Sequence, residues 1–329
     1  MNGSVSSSAK QWLRWLAPVA LIAILLLVFR DELPFLGQAW EALGSSEPWP
    51  LLAAVCTANL ALAAMSGVMQ ILLNTGQKIA NPANTNAIVY ASNAWSTTVP
   101  GGPAISAWLT FHVHRSWGAS VGLCGWFFVI SGALSTVWMG IIGLVAVLFL
   151  GADLSVRTLL ASFAIAATTI AAVFWATRNP AVLKRWVGFL PDKVRVRIET
   201  VVDQVAAIRM GAGSFVAAAT LSLLNRLFDL CTMLLAVHAV GGQGDISVMG
   251  VALAYIVTKL AGAAQITPGG VGTVEPVLAG MLVAGGLSLV DATAATVIYR
   301  AISFALITLI GWIVYALVYA GHGFMLGRK

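Results

Sequence analysis

TTVPGGPAIS (residues 97–106) and QITPGGVGTVEP (residues 265–276) carry the same Pro-Gly-Gly turn, one in each half of a 329-residue chain, and each interrupts a long apolar stretch. Proline removes a backbone donor and glycine weakens a helix interior, so both turns end helices. In lipid a broken helix leaves N–H and C=O groups unpaired, which is tolerated only inside protein or beside a watery cavity. Matched breaks in the two halves of a membrane chain point to a transport site between repeats. Pro100, Gly101 and Gly102, with Pro268, Gly269 and Gly270, are therefore the first candidate site residues.

The chain around these turns is 59% hydrophobic and 9% charged, where soluble domains carry about a quarter charged residues. Apolar stretches run at 15–29, 49–73, 84–98, 103–114, 118–150, 158–177, 213–240, 246–267, 271–286 and 288–320. Several reach the length of a membrane span. The expected fold is an all-α polytopic membrane protein, a single transmembrane domain over residues 1–329. Lys10 and Arg14 precede the apolar run Trp15 to Phe29, and no small-residue cleavage site comes before Arg30-Asp31-Glu32. An uncleaved first span is expected there rather than a signal peptide. Cys56, Cys124 and Cys231 fall in apolar segments and read as small buried hydrophobes, not as a disulfide framework or metal site.

Charge sets the orientation. Residues 178–209 hold Arg178, Lys184, Arg185, Lys193, Arg195, Arg197 and Arg209, and Lys and Arg on short loops mark the cytoplasmic side. Both ends of the chain are basic too, through Lys10 and Arg14 and through Arg328 and Lys329. All three regions lie on one side if 84–114 and 246–286 are re-entrant hairpins and the remaining long stretches are six full spans. Lys78 and Arg115 then also fall inside, while Asp31, Glu32, Glu41, Glu47, Asp153, Asp245 and Asp291 collect outside. Both termini are cytoplasmic in this topology, and the cell membrane is the expected location. A first repeat over 49–150 and a second over 213–320 have opposite orientations, which is an inverted repeat. Between them, Val194, Ile198, Val201, Val202, Val205 and Ile208 share one helical face, predicting an amphipathic linker helix at the cytoplasmic interface within 178–209.

Five ionisable residues remain at membrane depth: Arg226, Asp229, Lys259, Glu275 and Arg300. Such groups are costly there and mark function. Arg226 and Asp229 are three apart on one helix and can pair with each other. Lys259 stands about two turns before the second break, and it snorkels, pairs with Glu275 or contacts substrate. Glu275 follows the turn, where a helix dipole favours an acid and where it can oppose Lys259 or Arg300. Tyr299 and Arg300 lie within the last span, and an arginine there suits a phosphate. The helices that start after each turn aim free N–H groups inward, which suits anions. In the first half the polar groups are milder: Asn86, Asn93, Ser96, Thr97, Thr98 and Ser106, with His112 and His114 expected at lipid headgroups beside Arg115. No zinc-protease, nucleophile-elbow or phosphate-loop pattern appears. Neither does a carboxylate cluster suited to Mg²⁺. No cofactor, metal or catalytic residue is therefore expected.

The run Ala254 to Phe304 resembles the lysylphosphatidylglycerol synthase transmembrane (flippase-like) family. The family's Pro-Gly-Gly-x-Gly turn, following acid and Tyr-Arg are matched by Pro268, Gly269, Gly270, Gly272, Glu275, Tyr299 and Arg300. NRLFDL, Asn225 to Leu230, looks like its polar-and-Asp span, and VPGGPAISAW, Val99 to Trp108, looks like its first turn. Where many relatives carry an acid and an arginine after that first turn, this chain has Pro103 and Ser106. The resemblance implies a membrane module that moves lipids with modified headgroups between leaflets. The aminoacyl-transfer domain that follows the module in the best-known members has no counterpart in these 329 residues.

The expected function is therefore a lipid or glycolipid flippase-like transporter, not an enzyme. Arg226, Lys259 and Arg300 would hold a phosphorylated headgroup, and Asp229 and Glu275 would balance them. The expected partners are membrane lipids, anionic or glycosylated, and nothing points to nucleic acid. The alternatives are a membrane-embedded transferase acting on a polyprenyl-linked sugar, with Glu275 as its base, and a non-transporting scaffold for a cell-envelope enzyme.

Overall fold

In the computed structural model, residues 44, 46–99, 101–150, 156–186, 191–263 and 267–320 are described. The expected first span at 15–29, the basic groups at both termini and Pro100 lie outside them. Among the described residues every regular element is helical. The first half runs α1 (Pro48–Leu73), α2 (Pro82–Thr98), α3 (Gly102–Ser116) and α4 (Val121–Leu150). It continues with α5 (Val156–Arg178), α6 (Pro180–Trp186) and α7 (Asp192–Ala206). The second half is α8 (Ala212–Ala239), α9 (Val248–Ala263), α10 (Val274–Ala284) and α11 (Leu289–Arg300), then a wide turn at Ala301–Leu306 and α12 (Ile307–Val318).

Among the described residues four helices are long and apolar enough to cross a membrane: 48–73, 121–146, 212–239 and 289–318, the last joining α11 and α12. The chain is thus a multi-pass membrane protein. The arms beside the two turns are shorter. α2, α3, α9 and α10 have 17, 15, 16 and 11 residues, or about 16–25 Å at 1.5 Å per residue. That falls short of a hydrocarbon core of about 30 Å.

Local chemistry sets the boundaries. Asn81 caps α2 by accepting from the Asn84 N–H at 2.8 Å, with Pro82 opening the helix. Ser288 caps α11 by accepting from the Asp291 N–H at 3.1 Å. At the first turn Gly101 has φ 69°, and a side chain on Gly102 would strike the Ser96 and Trp95 carbonyls. Only glycine lets α3 fold back so closely on α2.

The two halves interlock. α1 and α8 lie antiparallel, tied by Thr57 and Thr232 at 2.9 Å and by Asn225 donating to the Ala61 carbonyl at 2.8 Å. The first arm of each hairpin packs on the last long helix of the other half: α2 on α12, and α9 on α4. Thr97 meets Thr308 at 3.0 Å, and Gly311 leaves room for the Tyr90 carbonyl.

The linker helix is α7, and its apolar face is docked on protein. Ile198, Val201, Val202 and Val205 face α4 across a cleft, and Gln204 accepts from the Gly122 N–H at 2.8 Å. Val194 and Val196 instead point outward. The histidine expectation is corrected as well. His114 is fully buried against Phe127, with Nε2 3.4 Å from the Met69 sulfur, because its helix face turns into the core. His112 is bonded to the Trp108 carbonyl at 2.8 Å on the exposed side. Of the cysteines, Cys124 is buried and Cys56 is exposed.

Candidate functional site

Asp229 on α8 is the hub of the second half. Its Oδ2 receives the Lys259 ammonium at 2.6 Å and the Tyr255 hydroxyl at 3.1 Å, both from α9. Its Oδ1 accepts from the Tyr299 hydroxyl of α11 at 2.9 Å. Tyr255 and Lys259 are four apart, so one helix face presents both. The ammonium also lies 5.2 Å from the centre of the Tyr255 ring and 5.8 Å from that of Tyr299, within cation–π range. The two rings are buried, yet the side chains of Lys259 and Asp229 stay 32% and 19% exposed. This pair is therefore reachable from outside the packed core.

Glu275 and Arg300 form the second pair. Arg300 Nε donates to Glu275 Oε1 at 2.7 Å, and its Nη2 donates to the Gly269 carbonyl at 3.0 Å. The guanidinium stacks 4.3 Å from the centre of the Phe304 ring. Glu275 Oε2 accepts from the Gly272 N–H at 2.8 Å. The positive start of α10 thus already holds an anion, the chain's own glutamate. One arginine ties the second Pro-Gly-Gly turn to α11, and the wide turn that follows Arg300 at once is a feature frequent at functional sites.

Arg226 is placed differently. It is one helical turn from Asp229 but reaches the other way, donating to the Ser135 hydroxyl of α4. Its Nε is buried with no partner, and among the described residues no carboxylate lies within 4.0 Å of it. The pairing of Arg226 with Asp229 that sequence spacing allows is not made, nor is that of Lys259 with Glu275. Asp229 points at α9 and α11, and Glu275 is taken by Arg300.

Gly269 and Gly270 have φ of 61° and 68°, which suits glycine. A side chain on Gly269 would run into the Phe304 ring and lie 2.8 Å from the Thr97 carbonyl at the end of α2. The second turn therefore rests on the first hairpin beside its own turn at Gly101 and Gly102. Pro268 opens the single helical turn that carries Gly269 and Gly270.

Sequence reasoning missed Tyr255, Ser135 and the bond from the Tyr90 hydroxyl to Asn59 Oδ1. Tyr255 was legible in principle, four residues before a membrane lysine. Ser135 carries no such sign. No group of three or more His, Cys, Asp or Glu that could hold a metal ion occurs among the described residues.

A family model described as "Lysylphosphatidylglycerol synthase TM region" matches residues 15–311. No curated protein matches the chain.

Proposed function

This chain belongs to the family of the lysylphosphatidylglycerol synthase TM region, and from that premise we propose that it is a flippase-like transporter of lipids or glycolipids. It moves a polar, phosphorylated headgroup between leaflets while the tails stay in the bilayer. It performs no chemistry on the lipid. The family ties the chain to lipid metabolism or transport, and membrane lipids are its partners.

The observation that carries this reading is the state of the three cations. Lys259 and Arg300 are neutralised by Asp229 and Glu275, while Arg226 bonds Ser135 and, among the described residues, has no carboxylate within 4.0 Å. A half-buried cation with no carboxylate in contact is costly in lipid, and an anionic headgroup relieves that cost. In our proposal the phosphate docks on Arg226. It then competes with Asp229 for Lys259 and with Glu275 for Arg300, so the headgroup passes along α8 by exchange of partners. Tyr255 and Tyr299 hold Asp229 in place during the exchange. Gly101 and Gly102, with Pro268, Gly269 and Gly270, frame the path as the tips of two re-entrant hairpins.

The short arms and the crossed packing of α2 on α12 and α9 on α4 support an inverted repeat of residues 49–150 and 213–320. With 178–209 cytoplasmic, the six-span topology puts both termini inside the cell, in the plasma membrane.

Reconstitution with labelled anionic and zwitterionic lipids tests the proposal. Leaflet exchange should fall at least tenfold in Arg226→Gln, and in Glu275→Ala or Arg300→Ala, with folding checked by size-exclusion chromatography. Unchanged exchange in all three would remove the site. Exchange-independent product formation from a polyprenyl-linked sugar would replace transport with transfer.

A further inference from the structure

Away from the ion pairs, a cavity of about 370 Å³ lies between the start of α4 and the linker helices α6 and α7. Gly122, Gly125, Trp126, Leu183, Ile198 and Val202 are among its walls, and nearly all of its lining is apolar. It runs along α4 from Val121 to Val129, about 12 Å at 1.5 Å per residue. That approaches the depth of one leaflet, half of a hydrocarbon core of about 30 Å. One wall is a membrane-spanning helix and the other is an amphipathic helix with Val194, Val196 and Trp186 exposed beside it. The groove therefore opens where acyl chains are.

Its rim is basic. Arg197 is exposed and four residues before the lining Val201, so it stands on the same side of α7. Lys184 binds Asp203 at 2.6 Å and fixes α6 to α7 as one wall. An apolar slot of leaflet depth beside an exposed arginine is complementary to one kind of molecule: a lipid with an anionic head and an acyl tail.

We propose that this groove is a resident-lipid site. It seats one acyl chain of an anionic phospholipid, whose head is held by Arg197, and it staples the linker helix to the first half of the bundle. The site is separate from Arg226, so its test is independent of transport.

Gly125 gives a direct probe, because a side chain built there meets no protein atom within 4 Å. Leucine favours helix over glycine, so Gly125→Leu fills the groove without weakening α4. Gly132→Leu, equally open on the same helix but outside the groove, is the control. Each protein is purified in detergent, retained lipid is counted by mass spectrometry, and Tm is followed with added phosphatidylglycerol or phosphatidylcholine. The wild type and Gly132→Leu should retain about one anionic lipid and gain about 5 °C with phosphatidylglycerol alone. Gly125→Leu should lose both effects, and Arg197→Gln should lose the preference for phosphatidylglycerol. Equal stabilisation by the two lipids, undiminished retention in Gly125→Leu, or a change of oligomeric state instead of lipid content would each overturn the proposal.

Discussion

Arg300 shows how much one side chain can decide in a low-dielectric setting. It is 7% exposed, and its donors are spread over Glu275 and the Gly269 carbonyl. The carboxylate it meets is itself pinned by the Gly272 N–H. Breaking such a pair from one side leaves an uncompensated charge, whereas removing both partners leaves none. Glu275→Ala is expected to cost about 3 kcal/mol, and Glu275→Ala with Arg300→Met is expected to recover most of that. Thermal unfolding of these two variants and of Arg300→Met alone, in detergent, checks it; additive losses would mean that the two groups act independently. That Glu275 and Arg300 matter was legible in the sequence, because acids and arginines rarely sit in apolar runs. Their pairing was legible only as one of two options, Lys259 or Arg300, since 25 residues and a change of helix separate them.

Elements meet in this protein where glycine permits it. Gly122 lets α7 dock on α4: a side chain there would lie 2.7 Å from Gln204 Cβ, 3.1 Å from the Val205 nitrogen and 3.2 Å from the Val201 carbonyl oxygen. Two of these are backbone atoms, which cannot give way locally. Gly122→Leu should therefore undock α7 and raise amide hydrogen exchange across residues 192–206 at least tenfold, while leaving α8 protected. Unaltered exchange would show that the close approach at Gly122 does not hold the linker. The amphipathic period of α7 was readable from Val194 to Ile208. What it would face was not, because a membrane surface and an apolar helix select the same pattern.

Across the whole molecule, the hairpins and spans together predict which loops share a side. In the proposed topology Lys78 and Arg197 lie on the same side as the linker, and Asp245 and Asp291 on the opposite side. With Cys56, Cys124 and Cys231 replaced, single cysteines at these four positions should divide into two pairs when intact cells are treated with an impermeant maleimide. Asp245→Cys and Asp291→Cys should label, and Lys78→Cys and Arg197→Cys should not. Labelling of Lys78→Cys from outside would make the first hairpin a full crossing. The sequence alone determined an all-helical membrane chain, both Pro-Gly-Gly breaks and the buried ionisable residues. These follow from local quantities: length of apolar runs, helix breakers and the cost of charge in lipid. The tertiary structure alone decided that Asp229 goes to Lys259 and two tyrosines, that Arg226 turns away to Ser135, and that the second turn rests on Thr97. Those choices depend on which faces of distant helices meet, and spacing along one helix carries no record of what packs against it.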